Sequence, residues 1–359
     1  MVSSLKEAMF FESFPSGDVR CGLCARRCRI APHKTGFCRV RKNIDGVLYS
    51  LNYGFVSSEA IDPVEKKPLY HFLPGTTTYS LGTFGCNFKC LHCQNHRISQ
   101  PEDNIYSAMD KKLGLNRFGE TVTPEEVVQR ALMLDSKSIS FTYNEPTVWY
   151  EFVYDTAVLA KEHGLYVIFV TNGYMTPEAL DFLAPYIDAY RVDIKSFSNN
   201  FYERIASACL EPVLASAAHA QKTGIFVETV TLLIPNENSG LAESEALASW
   251  IFQNLGNETP VHLTAFHPHF KMSNSPPSTA AMLEERRNLF TAAGLRYVYL
   301  GNVESDFQNT RCPNCGNLLI SRRFYLGENT GLEGRGLEFA CSNCGEKIPV
   351  FYPFDDDGF

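Results

Sequence analysis

The chain has 359 residues, 45% of them hydrophobic and 20% charged, with a formal net charge of −8. This is the composition of a soluble globular enzyme with room for one large domain and smaller additions, and its acidic balance argues against a broad nucleic-acid surface. No apolar run reaches membrane-spanning length, and the first seven residues lack the apolar core of a secretory signal, so the sequence predicts a cytoplasmic, reducing location in which twelve cysteines point to metal sites rather than disulfides.

Residues 19–44 carry eight Lys or Arg and no Asp or Glu, which leaves the rest of the chain at −16 (−8 − 8). Inside this basic stretch lie Cys21, Cys24, Cys28 and Cys38, spaced C-x2-C-x3-C-x9-C. Four thiolates close a tetrahedral zinc site, which is the expectation here. A second iron–sulfur cluster is the alternative, and the spacing does not decide between them. Residues 47–53 read as a strand, and residues 62–72 as a polar, proline-bounded connection.

Tyr79-Ser80-Leu81-Gly82-Thr83-Phe84 reads as a strand that runs directly into Cys86, Cys90 and Cys93, spaced C-x3-C-x2-C. Soft thiolates suit iron–sulfur clusters and zinc. A cubane cluster has four irons and this loop offers three sulfurs, so one iron would stay open to a small molecule. A zinc site completed by His92 or His96 is the competing assignment. Residues 97–120 are polar and weakly patterned, a loop or lid candidate. Beyond Thr123 the chain alternates. Helices are predicted from 123, over 147–163, from 176 and on to 222, over 239–254 and over 278–292. Strands are predicted at 138–142, 165–170, 189–194, 225–234, 261–266 and 296–300. Such alternation means a parallel sheet wrapped by helices, and in barrels of this kind the site lies at the C-terminal strand ends.

The polar motifs fall there. Thr142-Tyr143-Asn144-Glu145-Pro146 follows one strand, Thr171-Asn172-Gly173 the next, and Asp193-Ile194-Lys195 the one after. Phe266-His267-Pro268 ends a later strand, and Leu232-Leu233-Ile234-Pro235 another. Cys209, alone on an expected helix, reads as a small buried hydrophobe.

With the three-cysteine loop, these motifs resemble the radical S-adenosylmethionine (SAM) superfamily over residues 76 to about 275, and among its members the pyruvate formate-lyase activating enzymes. The resemblance implies a partial parallel (β/α) barrel and a 4Fe–4S cluster on Cys86, Cys90 and Cys93. It also implies SAM chelated to the open iron and cleaved to a 5′-deoxyadenosyl radical, and an electron donor of the flavodoxin or ferredoxin type. Carried over position by position, the SAM-binding residues are Asn144, Glu145, Asn172, Asp193, Lys195 and His267. Asn144 and Glu145 would hold the methionine ammonium, and no residue is assigned a catalytic role. Four positions depart from the family pattern: His92 replaces an aromatic residue, Tyr143 and Asn144 replace glycines, and Val170 stands where the activating enzymes carry Asp. The N-terminal cysteines, the Thr-Tyr-Asn-Glu-Pro form and the C-terminal cysteines are similar to the radical SAM component of the AmmeMemoRadiSam system, whose partners would be Memo-type and Ammecr-type proteins.

Cys312, Cys315, Cys341 and Cys344 form two C-x2-C-G knuckles, a zinc-ribbon or rubredoxin-like signature for which structural zinc is the expectation and redox iron the alternative. The sequence thus divides into an N-terminal cysteine-rich segment (1–73), a radical SAM core (74–303) and a ribbon (304–359), ending in a short acidic tail. An RNA-modifying enzyme and a non-enzymatic redox sensor are the competing functions; the acidic balance opposes the first and the intact strand-end motifs the second.

Overall fold

The structure is a computed structural model and describes residues 5–100 and 120–354. The lid candidate at 97–120 lies almost wholly outside the described residues, as does most of the acidic tail. The centre is an eight-stranded sheet. Its strands in chain order are β1 (Ser58–Pro63), β2 (Thr77–Gly82), β3 (Ser138–Phe141), β4 (Tyr166–Thr171), β5 (Ala189–Asp193), β6 (Phe226–Leu233), β7 (Val261–Ala265) and β8 (Val298–Gly301). Spatial order follows chain order from β1 to β8. Every pair from β2 onward is parallel, and β1 runs antiparallel to β2 as an edge. An open sheet in sequential parallel order is the partial barrel expected from the alternation, with helices as the crossovers.

Those helices are α1 (Pro124–Met133), α2 (Tyr150–Glu162), α3 (Pro177–Leu183), α4 (Glu211–Thr223), α5 (Leu241–Leu255) and α6 (Ala280–Ala292). Local chemistry explains their limits. Thr123 caps α1 in a reciprocal capping box with Glu126, with Pro124 at the first helical position. Gly224 ends α4 in the left-handed region at φ +83°. In α2, Phe152, Val153, Ala157 and Ala160 recur at helical spacing and are buried, a stripe turned to the sheet.

Three features differ from the sequence expectations. The stretch before residue 62 is the edge strand β1, so the central sheet reaches back beyond residue 74. Its exposed and half-buried residues alternate, and its Pro63 is tolerated because an edge leaves N–H positions free. Cys209 is exposed and lies between a π-helical turn (Tyr202–Ala206) and α4 rather than in a buried helical face. The N-terminal segment forms small antiparallel sheets whose Val19, Leu23, Ile30 and Leu48 share the main core.

The C-terminal residues form two three-stranded antiparallel sheets, Thr310–Arg311 with Leu318–Arg323 and Leu326–Asn329, and Leu332–Arg335 with Glu338–Cys341 and Lys347–Ile348. Their core includes Tyr70 from the segment after β1 and Tyr297 and Tyr299 at β8. Among the described residues no helix is long and apolar enough to cross a membrane.

Candidate functional site at the strand ends

A cavity of about 410 Å3 opens at the C-terminal ends of the parallel strands. Its wall includes Cys86, Cys90 and Cys93, together with Asn144, Glu145, Asn172, Asp193 and Lys195. Residues from four separate stretches therefore meet in one place, as strand-end position predicts. His267 follows β7 but is not among the cavity-lining residues; it is exposed, with Nε2 3.2 Å from the Asn302 carbonyl.

The cysteine loop is held by its backbone. Lys89 N–H donates to the Ala206 carbonyl at 3.0 Å and Leu91 N–H to the Ile205 carbonyl at 2.9 Å. Both acceptors belong to the π-helical turn, whose widened register leaves carbonyls free for such contacts. Gly85 has φ +88°, and a Cβ there would stand 2.7 Å from the Cys38 carbonyl oxygen, so only glycine lets the loop lie this close to the N-terminal segment.

Asn144 and Glu145 occupy the expected place with their hydrogen-bonding groups already engaged. Asn144 accepts from Thr83 N–H at 3.1 Å and donates through Nδ2 to the Gly85 carbonyl at 2.7 Å. Glu145 is buried: its Oε1 accepts from Thr147 N–H (3.0 Å), the Thr147 hydroxyl (2.6 Å) and the Thr171 hydroxyl (2.7 Å), and its Oε2 from Asn172 N–H (2.8 Å). Asn144 thus fixes the cysteine loop to the end of β3, and Glu145 ties the end of β3 to that of β4. Asn172 donates through Nδ2 to Asn87 Oδ1 at 2.7 Å, with the Cys86 sulfur 3.8 Å away. Asp193 is the more open carboxylate, paired with Arg191 and, at 2.8 Å, with the Lys195 ammonium.

The donor set fits an iron–sulfur cluster. Burial pushes the Cys90 thiol up to about 11 and raises those of Cys86 and Cys93, so these sulfurs become thiolates through metal binding, with proton release. Among the described residues, the one group of three or more His, Cys, Asp or Glu ligand atoms lying within 4.8 Å of one another is Cys312, Cys315, Cys341 and Cys344. Cys86, Cys90 and Cys93 therefore do not gather with His92 or His96 as zinc would require. His92 is buried, its basicity pulled down to about 3 by burial and by Lys195, and His96 stacks on Phe270 at 4.2 Å.

Residues that sequence reasoning passed over line the rest of the wall. Asp62, Lys66, Lys67, Arg191, His262 and Tyr325 belong to the same cavity. Lys67 pairs with Asp62 at 2.6 Å, and burial brings its ammonium down to about 8 against the pull of that carboxylate. His262 Nε2 donates to Glu228 Oε2 at 2.6 Å. Glu228 also accepts from Tyr70 N–H at 3.0 Å and His71 N–H at 2.9 Å. The available signal was a Glu and a His placed inside otherwise apolar strands.

In the ribbon, Cys312 and Cys344 sulfurs are 3.6 Å apart, as are those of Cys315 and Cys341. Tetrahedral zinc with Zn–S bonds of about 2.3 Å sets sulfurs about 3.8 Å apart, so this donor set fits a single tetrahedral ion.

A family model described as the radical SAM superfamily matches residues 80–244. Over 349 residues the chain is 45% identical to "Uncharacterized protein MJ0808" of Methanocaldococcus jannaschii, covering 96% of this chain and 99% of that one. Over 246 residues it is 29% identical to "Putative glycyl-radical enzyme activating enzyme MJ1632" of the same organism, covering 67% of this chain and 85% of that one. A solved domain of pyruvate-formate lyase-activating enzyme from Bacteroides vulgatus superposes with a TM-score of 0.42 at 15% identity, covering 46% of this chain and all of that one. With three cysteines on the loop after β2 and the matched segment built around them, the chain belongs to the radical SAM superfamily and is an enzyme of that type, related to the glycyl-radical activating enzymes.

Proposed function

We propose that this enzyme reductively cleaves SAM at a 4Fe–4S cluster held by Cys86, Cys90 and Cys93, and abstracts hydrogen from a protein or small-molecule substrate. The observation that carries the reading is the meeting of the Cys86, Cys90 and Cys93 thiols, not drawn together at one point, with the strand-end groups Asn172, Asp193 and Lys195 around one cavity. Bound together, the cluster and SAM supply a 5′-deoxyadenosyl radical. The protein's part is to hold and orient. Asn144 fixes the cysteine loop, Glu145 joins two strand ends, and Asn172 stands beside the Cys86 sulfur. Lys195 commits one of its N–H groups to Asp193 and so keeps donors for a carboxylate, while Asp193 can accept from an ammonium or ribose hydroxyl. Groups from separate strands fix a ligand in three dimensions, and such orientation is worth several orders of magnitude in rate.

The substrate would enter the rest of the same cavity, past Lys67, Arg191 and His262. The cysteine groups at both ends and the Thr-Tyr-Asn-Glu-Pro motif support membership in the AmmeMemoRadiSam group, with Memo-type and Ammecr-type proteins as partners and a flavodoxin or ferredoxin as reductant. The SAM assignment is tested by Asp193→Ala in the reconstituted enzyme. Loss of a charged hydrogen-bond acceptor should raise the SAM Kd by about tenfold or more, with iron content unchanged. Unaltered affinity would remove Asp193 from the SAM site.

A further inference from the structure

We infer that Cys21, Cys24, Cys28 and Cys38 hold a second 4Fe–4S cluster rather than a zinc ion. All four line one cavity, together with Arg26, Arg41 and Asn87. The ribbon provides an internal standard for a single-ion site, because its four sulfurs lie within 4.8 Å of one another. No three of the N-terminal cysteines gather within 4.8 Å of one another. In this they match the loop of Cys86, Cys90 and Cys93, not the ribbon. A single zinc needs all its sulfurs at one centre. In a cubane each thiolate takes its own iron, so the sulfurs stand farther apart around a larger body.

The lining adds a second, independent sign. Arg41 is 2% exposed and holds Glu151 through both terminal nitrogens, yet its Nε has no partner. Asn87 is fully buried and its Nδ2 is likewise unpartnered. Two buried donors without acceptors, both in the wall of the four-cysteine cavity, call for an acceptor there. Cluster sulfides provide several, and tetrahedral zinc brings none of its own beyond the thiolates.

The two cysteine sites adjoin. Arg26 Nε donates to the Asn87 carbonyl at 2.9 Å, and Gly85, next to Cys86, touches the Cys38 carbonyl. Cys24 bridges to Met175, just beyond Asn172. The inference rests on the assignment of the first cluster only for comparison of sulfur spacing, and its test separates the two.

The full chain, purified anaerobically and reconstituted with ferrous iron and sulfide, is assayed for iron, acid-labile sulfide and zinc. Sulfide is the deciding count, because neither zinc nor a rubredoxin-like iron binds it. Two clusters give roughly eight sulfides per chain. The triple variant Cys86→Ala/Cys90→Ala/Cys93→Ala, which leaves the N-terminal segment untouched, should keep roughly four and a reduced-cluster resonance. Cys21→Ser/Cys38→Ser should also lose half of the wild-type sulfide. A triple variant with no sulfide and two zinc ions per chain overturns the inference while leaving the first cluster standing. If instead the first cluster were misassigned, wild type would hold roughly four sulfides, the triple variant would keep them all, and the N-terminal variant would lose them.

Discussion

Glu145 and Glu228 are both buried carboxylates in this chain, and they serve different ends. Glu145 faces the cavity yet spends its oxygens on Thr147, Thr171 and Asn172. Glu228 lies deeper, where burial raises its affinity for a proton but His262, His71 and the Tyr70 N–H more than offset this and hold it below the ordinary value of 4.5. A lowered folded value means that the charge stabilises the fold above the ordinary carboxylate range and that this is lost as pH falls through the lowered value. Glu228→Gln should therefore cost on the order of 2–4 kcal/mol at neutral pH, because buried donors lose a charged acceptor. Chemical denaturation at several pH values should show the gap between wild type and variant shrinking below pH 4.5. That Asn144, Glu145, Asn172, Asp193 and Lys195 would meet at one cavity was legible, because strand-end position alone puts them together. Glu228 was not, since its backbone partners lie 157 and 158 residues away and nothing local marks them.

At the scale of elements, the loop after β2 depends on two supports that can be tested separately. Gly85→Ala places a Cβ against the Cys38 carbonyl and Val40 and demands φ +88° of an L-residue. It should lower stability by about 2 kcal/mol or more and reduce iron retention, read by thermal melting and iron analysis. Asn144→Ala removes two links between the loop and the end of β3 and leaves the one from Asn95 to the Tyr143 carbonyl. Its expected signature is faster loss of cluster to a chelator, with the apo-protein melting within a few degrees of wild type; unchanged chelation kinetics would contradict the holding role. The parallel strands and their helices were readable because buried β-branched runs and capped helices each carry a local signal. The edge strand β1 was not, because its half-exposed polar alternation resembles a connection, and only pairing with β2 along Ser58–Gly82 to Pro63–Thr77 reveals it.

At the scale of the whole molecule, the ribbon packs against the segment after β1 and against β8. Arg322 donates to the Tyr70 carbonyl at 2.6 Å and to Thr310 at 2.7 Å and lies 4.0 Å over the Tyr70 ring. His71 meets the Tyr299 hydroxyl at 2.5 Å, and Phe72 stacks on Phe351. These ribbon side chains thus brace the segment that carries Glu228's backbone donors. Cys312→Ser should abolish metal binding at the four-cysteine group and lower the melting temperature, since metal binding supplies much of the folding energy of such a small unit. Cleavage of SAM should remain measurable, because no ribbon cysteine lines the cavity. The knuckle spacing made the metal site legible from sequence; the docking, built from single residues scattered between positions 70 and 351, left no pattern to read.

The central claim is that Cys86, Cys90 and Cys93 hold the cluster at which SAM is cleaved. The most direct measurement is 5′-deoxyadenosine formation by anaerobically reconstituted, chemically reduced enzyme, for wild type and for each single alanine variant of these cysteines. The account predicts product from wild type and from Cys312→Ser, and none above background from Cys86→Ala, Cys90→Ala or Cys93→Ala. Product at the wild-type level from any of those three would contradict it.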